Sequence, residues 1–413
     1  MKKNKFLSDS FLMILSSGIS QLILIATTPL ISRLYSPTEF GEFTIFSNIA
    51  MILIPIINAR YDLLIINAEN RHKANVLSQI SFLISVLIVI FLVPIVIIFS
   101  FIYPKYILDM IFIIITLLLV SFTNIFTNYL NRERDYKSLS FINILRSASM
   151  TVIQIVFGII HFGSLGLIIG FSFSYILGIG IGYRTFKKHF YIVKNKQELK
   201  KDFLEYKNQL IYSTPSILLN SLSFSIVIFF LGILYSSKEV GVYGMAIRIL
   251  GIPVTIISLG LSKIFMQRAN DYYLKIGNFR NLLLRFTGAL IVLSIILYVP
   301  FYFLSGSLVN LILGKQWIET IIIMKITIPL FAIRLIVSTV SLAVVVIKKQ
   351  QIELLLQAAF VVGTIITFYI SKLYKFDFIN FVKLNTLALI ISYFLFYLIL
   401  YHFSKKKKLG DKR

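Results

Sequence analysis

Five basic residues fall inside long apolar runs of the sequence: Arg146, Arg248, Lys325, Arg334 and Lys383. A cation in hydrocarbon costs several kcal/mol unless it faces a bundle interior or a watery cavity, so each of these positions asks for a reason. Arg248 lies about eight residues from the expected outer end of its run, on the order of 12 Å at helical rise and close to the expected midplane. Lys325 and Arg334 are nine residues apart, about 900° around a helix, which puts them on opposite faces. Arg334 is the deeper of the two, while Lys325 and Lys383 sit near run ends, from which a lysine can snorkel outward. Arg146 lies toward the inner end of its run, and Arg60, beside Asp62 at the inner end of the second run, is placed to guard the cytoplasmic mouth. The acidic residues nearest to membrane depth, Asp62, Asp109, Glu319 and Glu353, all stand at run ends. Buried cations without buried anions suit an anionic ligand, and a guanidinium matches phosphate oxygens two at a time. Arg248 and Arg334 are the first candidates to hold such a headgroup, with Arg146, Arg60 and Lys325 behind them. Asp62 and Glu353 are the modest candidates for ion coupling.

The elements that carry these residues are membrane spans. The chain is 58% hydrophobic with a mean hydropathy of +0.87, which excludes a water-soluble globule. Its net charge of +24 sits in short clusters between apolar runs, a topology signal that argues against a nucleic-acid partner. Cysteine is absent and the four histidines, His72, His161, His189 and His402, are scattered. The sequence contains no GxSxG, Walker A, HExxH or dinucleotide motif, so neither a cofactor, a metal nor an enzymatic activity is expected.

Twelve runs are expected, the first at about 11–31 and read as a retained span, the second at 42–59 and the eighth at 240–262. With the N-terminus inside, the inner segments hold 30 Lys and Arg and the outer loops only 6, so both termini are expected in the cytoplasm. Leu34-Tyr35-Ser36 with Glu39 and Gly41 recurs 200 positions later as Leu234-Tyr235-Ser236 with Glu239 and Gly241. Both copies form the hairpin between the first and second spans of their half, and both glutamates are expected to cap or pin it. An even number of spans per half makes the halves parallel repeats. The expected fold is an all-α integral membrane protein of twelve transmembrane helices, in two six-helix lobes related by a pseudo-two-fold axis along the membrane normal. The lobes are expected at 1–187 and 209–413, joined by a basic cytoplasmic linker at 188–208. Leu199, Phe203, Tyr206 and Leu210 recur there at helical spacing, which fits either an amphipathic helix on the anionic leaflet or a solvated linker helix. Trp317 is expected at the outer interface, as an aromatic belt residue.

The hairpin Thr28-Pro29-Leu30-Ile31-Ser32-Arg33-Leu34-Tyr35-Ser36-Pro37-Thr38-Glu39-Phe40-Gly41-Glu42-Phe43, followed by Asn58-Ala59-Arg60-Tyr61-Asp62, resembles the O-antigen and polysaccharide-unit flippases (Wzx type). These belong to the multidrug/oligosaccharidyl-lipid/polysaccharide exporter superfamily. The hairpin motif is fairly specific, whereas later spans match in pattern only. The resemblance implies a cargo of undecaprenyl-pyrophosphate-linked oligosaccharide, moved from the inner to the outer leaflet of a bacterial cytoplasmic (inner) membrane. It also implies a cationic cavity between lobes that alternate between inward-open and outward-open states. Arg248, Arg334 and Arg146 are the positions that would supply the cavity. The partners implied are the cargo, membrane lipids, and the polymerase and chain-length regulator of an O-antigen or lipopolysaccharide pathway.

Two other classes compete. A multidrug antiporter of the same superfamily would share the architecture but extrudes cations, which calls for buried carboxylates. A membrane glycosyltransferase, polymerase or ligase, would need a large outer loop with catalytic residues, and every expected outer loop is short.

Overall fold

The computed structural model describes residues 2–188, 190–349 and 351–405. His189 and the basic tail 406–413, which holds five of the six C-terminal basic residues counted above, lie outside the described residues. Among the described residues twelve helices are long and apolar enough to cross a membrane, which makes this a multi-pass membrane protein. The requirement behind them is that backbone N–H and C=O groups in hydrocarbon find partners within their own segment. The chain forms two compact units that divide between Ser225 and Ile226.

The N-terminal unit contains α1 (Lys2–Leu34), α2 (Pro37–Leu53), the short α3 (Tyr61–Leu64), α4 (Arg71–Ile102), α5 (Ile107–Arg132), α6 (Tyr136–Ile159), α7 (Ser164–Lys187) and α8 (Lys196–Glu205). The corner between α1 and α2 is a capping box with proline in the first helical turn, as the Ser-Pro-x-Glu order demands. The Glu39 carboxylate accepts from the Ser36 backbone N–H at 2.7 Å, and the Ser36 hydroxyl accepts from the Glu39 N–H at 3.3 Å. Tyr35 is buried beside this corner and donates from its hydroxyl to the Gln154 carbonyl on α6 at 2.6 Å. Room for its ring is made by glycine. A Cβ on Gly166 would stand 2.6 Å from the Tyr35 oxygen, and one on Gly158 would stand 2.9 Å from its Cε2.

Between α2 and α4 the chain makes a knuckle instead of a straight exit. Ala59 (φ 45°) and Arg60 (φ 62°) are consecutive left-handed residues without being glycine, a conformation that costs about 1–3 kcal/mol each and persists only when its surroundings impose it. Those surroundings are polar and buried. The Asn58 amide donates to Ser121 Oγ at 2.7 Å and to the Ser81 carbonyl at 3.3 Å. Asn124 in turn donates to Asn58 Oδ1 at 3.3 Å.

In the basic segment after α7, three residues of the expected stripe turn to protein: Leu199, Phe203 and Tyr206 pack against the apolar core of the N-terminal unit, while Leu210 is exposed. Tyr61 donates from its hydroxyl to the Phe203 carbonyl at 2.8 Å, and Lys73 Nζ joins Asp202 at 2.9 Å and Glu205 at 3.0 Å. The His72 ring bridges Glu198 and the Tyr191 hydroxyl. The segment is therefore a strap, and its helical spacing reports a protein-facing stripe.

The helix α9 (Thr214–Leu234) crosses the division, and the C-terminal unit continues with α10 (Ser237–Ile276), α11 (Arg280–Leu308), α12 (Thr320–Val340), α13 (Ala343–Val346), α14 (Gln351–Leu373) and α15 (Phe378–Phe403). The second corner repeats the first. Glu239 accepts from the Ser236 backbone N–H at 2.7 Å, and Tyr235 donates to the Phe376 carbonyl at 2.9 Å, just ahead of α15. The eighth span outruns its apolar stretch. α10 goes on to Ile276 because Phe265 and Ala269 in the polar-looking continuation join the core with Phe279 and Leu283. It closes on Gly277, left-handed at φ 64°, whose N–H reaches the Tyr273 carbonyl at 3.0 Å. Trp317 corrects its expectation, since its ring is fully buried instead of standing at an interface.

Candidate functional site

The C-terminal unit builds its polar centre around Arg334. Three buried tyrosines from three different helices, Tyr243 on α10, Tyr298 on α11 and Tyr393 on α15, lie within electrostatic reach of its guanidinium. Its Cζ also sits 5.6 Å from the Phe331 ring centroid on its own helix. Tyr298 is oriented by a hydrogen bond to the Leu250 carbonyl at 3.0 Å. Arg248 stands on α10, which packs against α12. It lies one turn before Gly251 on α10, and a Cβ on Gly251 would be 3.6 Å from Phe331 Cε1, one turn before Arg334. Because α10 begins at Ser237, Arg248 is 11 residues into its helix, on the order of 17 Å from the end and deeper than its apolar run suggests.

No Asp or Glu occurs between Glu239 and Asp271, or between Glu319 and Glu353. The two arginines stand in these acid-free stretches, and Tyr243 and Tyr393 add phenol donors, the Tyr298 hydroxyl being taken by Leu250. A phosphate or diphosphate fits that chemistry, since guanidinium forks and tyrosine hydroxyls all donate to its oxygens.

The remaining candidates are distributed. Arg146, in the N-terminal unit, stacks its guanidinium 4.3 Å above the Tyr175 ring centroid and pairs with no carboxylate among the described residues. Lys325 is exposed, with Nζ 5.4 Å from the Tyr302 ring centroid. Lys383 and Glu353 are exposed, Glu353 in the first turn of α14. Arg60 and Asp62 share the knuckle of the N-terminal unit, where Asp62 is buried and accepts from the Asn128 amide at 2.9 Å. Burial pushes the Asp62 carboxyl up to about 6, against the pull of the Arg60 charge and the Asn128 amide.

Sequence reasoning missed the tyrosines. Tyr243, Tyr298 and Tyr393 are 55 and 95 positions apart, and nothing in their spacing marks them before three helices bring them to one arginine. It also missed the Asn58, Ser121 and Asn124 contacts, although Ser121, Asn124 and Asn128 share one face of α5 at helical spacing.

Residues 30–322, well over half of the chain, match the family model of the polysaccharide biosynthesis proteins. The chain belongs to that family. No curated protein sequence matches it. Among solved structures, this polysaccharide biosynthesis family member is similar to the lipid II flippase MurJ in an inward closed conformation. The TM-score is 0.73 at 16% identity, covering 95% of this chain and 87% of that one. It is also similar to a multidrug resistance MATE family transporter of the MOP superfamily in an inward-facing conformation, with TM-score 0.70 at 16% identity over 93% and 95% of the two chains. A MOP superfamily transporter from Pyrococcus furiosus, described by the reverse polarity of its binding pocket, gives TM-score 0.60 at 16% identity over 96% and 93%. Identities this low establish the shared fold and nothing finer.

Proposed function

We propose that this family member is a flippase that moves an undecaprenyl-pyrophosphate-linked oligosaccharide from the inner to the outer leaflet of a bacterial cytoplasmic membrane, with both termini in the cytoplasm. The observation that carries the reading is Arg334 among Tyr243, Tyr298 and Tyr393, on a helix, α12, that contains no Asp or Glu. Arg248 extends this donor set on α10, and Arg146 over Tyr175 is a second station for the same headgroup in the N-terminal unit. In this reading the diphosphate replaces water around the arginines, the cost of holding cations in the bilayer falls when cargo binds, and alternating access follows from loading. The lobes act as 1–187 and 209–413, with 188–208 as the element that joins them.

The fold is shared with a multidrug transporter, and a cation exporter is the competing reading. A drug cation would meet Arg248 and Arg334 at like charge, which costs instead of stabilising. Asp62 is the better of the two coupling candidates, being buried where Glu353 is exposed. An O-antigen or related polymerase and a chain-length regulator are the partners that would consume the product.

Deletion of the gene followed by analysis of lipid-linked intermediates tests the proposal. Complete oligosaccharide units should accumulate on the inner leaflet. Normal surface polysaccharide, or single units accumulating on the outer leaflet, would reject flipping in favour of another step.

A further inference from the structure

A groove of about 300 Å³ runs along the C-terminal unit between α11 and α12. Ser294, Tyr298 and Tyr302 line it from one helix, and Ile328, Ala332 and Ile336 from the other. Its floor is closed to polar ligands. The Ser294 hydroxyl donates to the Ala332 carbonyl at 3.4 Å and the Tyr298 hydroxyl is committed to Leu250, so the surface left to an occupant is hydrocarbon. Its rim is open on one side, with Ile295, Val299 and Phe303 exposed along α11.

One end of this apolar trough carries a charge. Lys325 precedes Ile328, Ala332 and Ile336 by 3, 7 and 11 residues and so lies on the same face of α12. Its Nζ is 5.4 Å from the ring centroid of Tyr302, which itself lines the groove, and it makes no ion pair among the described residues. From Lys325 to Ile336 is about 16 Å at helical rise, or about half of a 30 Å hydrocarbon core. The occupant that fits is one hydrocarbon chain reaching across a single leaflet, with an anion at its head.

We propose that the groove seats the polyprenyl chain of the lipid-linked cargo with its phosphate on Lys325. The choice rests on the flippase reading above. A diacyl phospholipid presents two chains, and this trough is one stripe wide on each helix. In the expected orientation Lys325 is at the outer end of its span, so the seat is the position taken after crossing. Tyr298 links it to Arg334, because its ring floors the groove while the residue is within electrostatic reach of that guanidinium on the opposite face of α12. The headgroup thus has an exit station on a lysine beside the arginines of the crossing.

Photolabelling tests this. The full-length protein would be purified into vesicles of phosphatidylethanolamine and phosphatidylglycerol, loaded with a polyprenyl diphosphate bearing a diazirine in its chain, irradiated and mapped by mass spectrometry. Label is expected on peptides covering 291–303 and 328–336. Lys325→Gln should lower labelling by the diphosphate probe about fivefold, the worth of one lysine against a phosphate at a membrane surface, and leave labelling by the uncharged polyprenol unchanged. Ala332→Phe, which fills the trough, and Ile295→Trp, on its exposed rim, should each suppress both probes; agreement between them guards against misfolding of either. Equal labelling of these peptides by a diazirine phosphatidylglycerol would overturn the proposal and make the groove a seat for bulk lipid. Saturable polyprenyl label elsewhere in the protein, with none in the groove, would sink the groove and spare the flippase. No saturable polyprenyl label anywhere would count against both.

Discussion

Tyr61 holds Phe203 twice, by a hydroxyl-to-carbonyl hydrogen bond of 2.8 Å and by rings stacked 5.6 Å apart at an angle of 10°. Tyr61 stands at the start of the knuckle that ends the second span, and Phe203 belongs to the strap helix α8. A strained turn inside the N-terminal unit and the segment leading onward to the second unit are therefore fixed to each other by one side chain.

The strap's second attachment is ionic. Lys73→Ala would leave Asp202, which is 5% exposed, without its cation, at a cost of about 2 kcal/mol for a partly buried charged hydrogen bond. Limited proteolysis should cut the segment 190–206 faster in this variant. Unchanged cleavage would mean that the Tyr61 and His72 contacts suffice.

The corner at Tyr35 should be intolerant. Tyr35→Phe removes a buried hydrogen bond to the Gln154 carbonyl and is expected to destabilise by about 1 kcal/mol. Gly166→Ala drives a methyl against the Tyr35 oxygen, and part of its cost should disappear in combination with Tyr35→Phe. Thermal unfolding in detergent of the two single variants and the double variant reads this coupling.

Asp62 makes stability depend on pH in a defined direction. The buried carboxyl keeps its proton up to about pH 6, whereas an exposed aspartate loses it near 3.8. Folding therefore takes up a proton between about pH 4 and 6, and stability falls as pH rises through that window, then stays level above it. The loss is roughly 2–3 kcal/mol if no other group compensates. Asp62→Asn should remove this slope and raise the unfolding temperature at pH 8; a wild-type profile in the variant would assign the slope elsewhere.

Arg334→Ala is expected to abolish surface polysaccharide at normal protein abundance, and Arg334→Lys to retain part of it, because a lysine keeps the charge and loses the bidentate fork. Arg248→Ala should behave alike. Wild-type polysaccharide in both alanine variants would remove these residues from the cargo path.

Orientation can be read directly, since the chain has no cysteine of its own. Ser237→Cys should react with an impermeant thiol reagent added to intact cells, and Lys405→Cys should not. The reverse pattern would invert the topology.

The spans and the corners were legible in the sequence because each depends on local properties. Apolar length marks a span, and Ser-x-x-Glu marks a cap whatever lies beyond it. The strap was misread because the spacing of Leu199, Phe203 and Tyr206 reveals an apolar face without saying whether lipid, water or protein covers it. Trp317 failed for a similar reason: position beside Lys315 suggested an interface, but burial is decided by neighbours far away in the chain. The tyrosines around Arg334 come from three helices, so no window of sequence contains them together.

The crowding at the first corner bears on how this protein can change over time. With Gly158 and Gly166 both pressed against Tyr35, few substitutions at these three positions leave the corner intact, whereas the exposed walls of the α11 groove accept many apolar side chains. Descendants of this chain would keep the lettering of their first hairpin while the groove's exposed walls drift. The stretch that makes ancestry readable is thus the one fixed by its own packing and least exposed to any ligand.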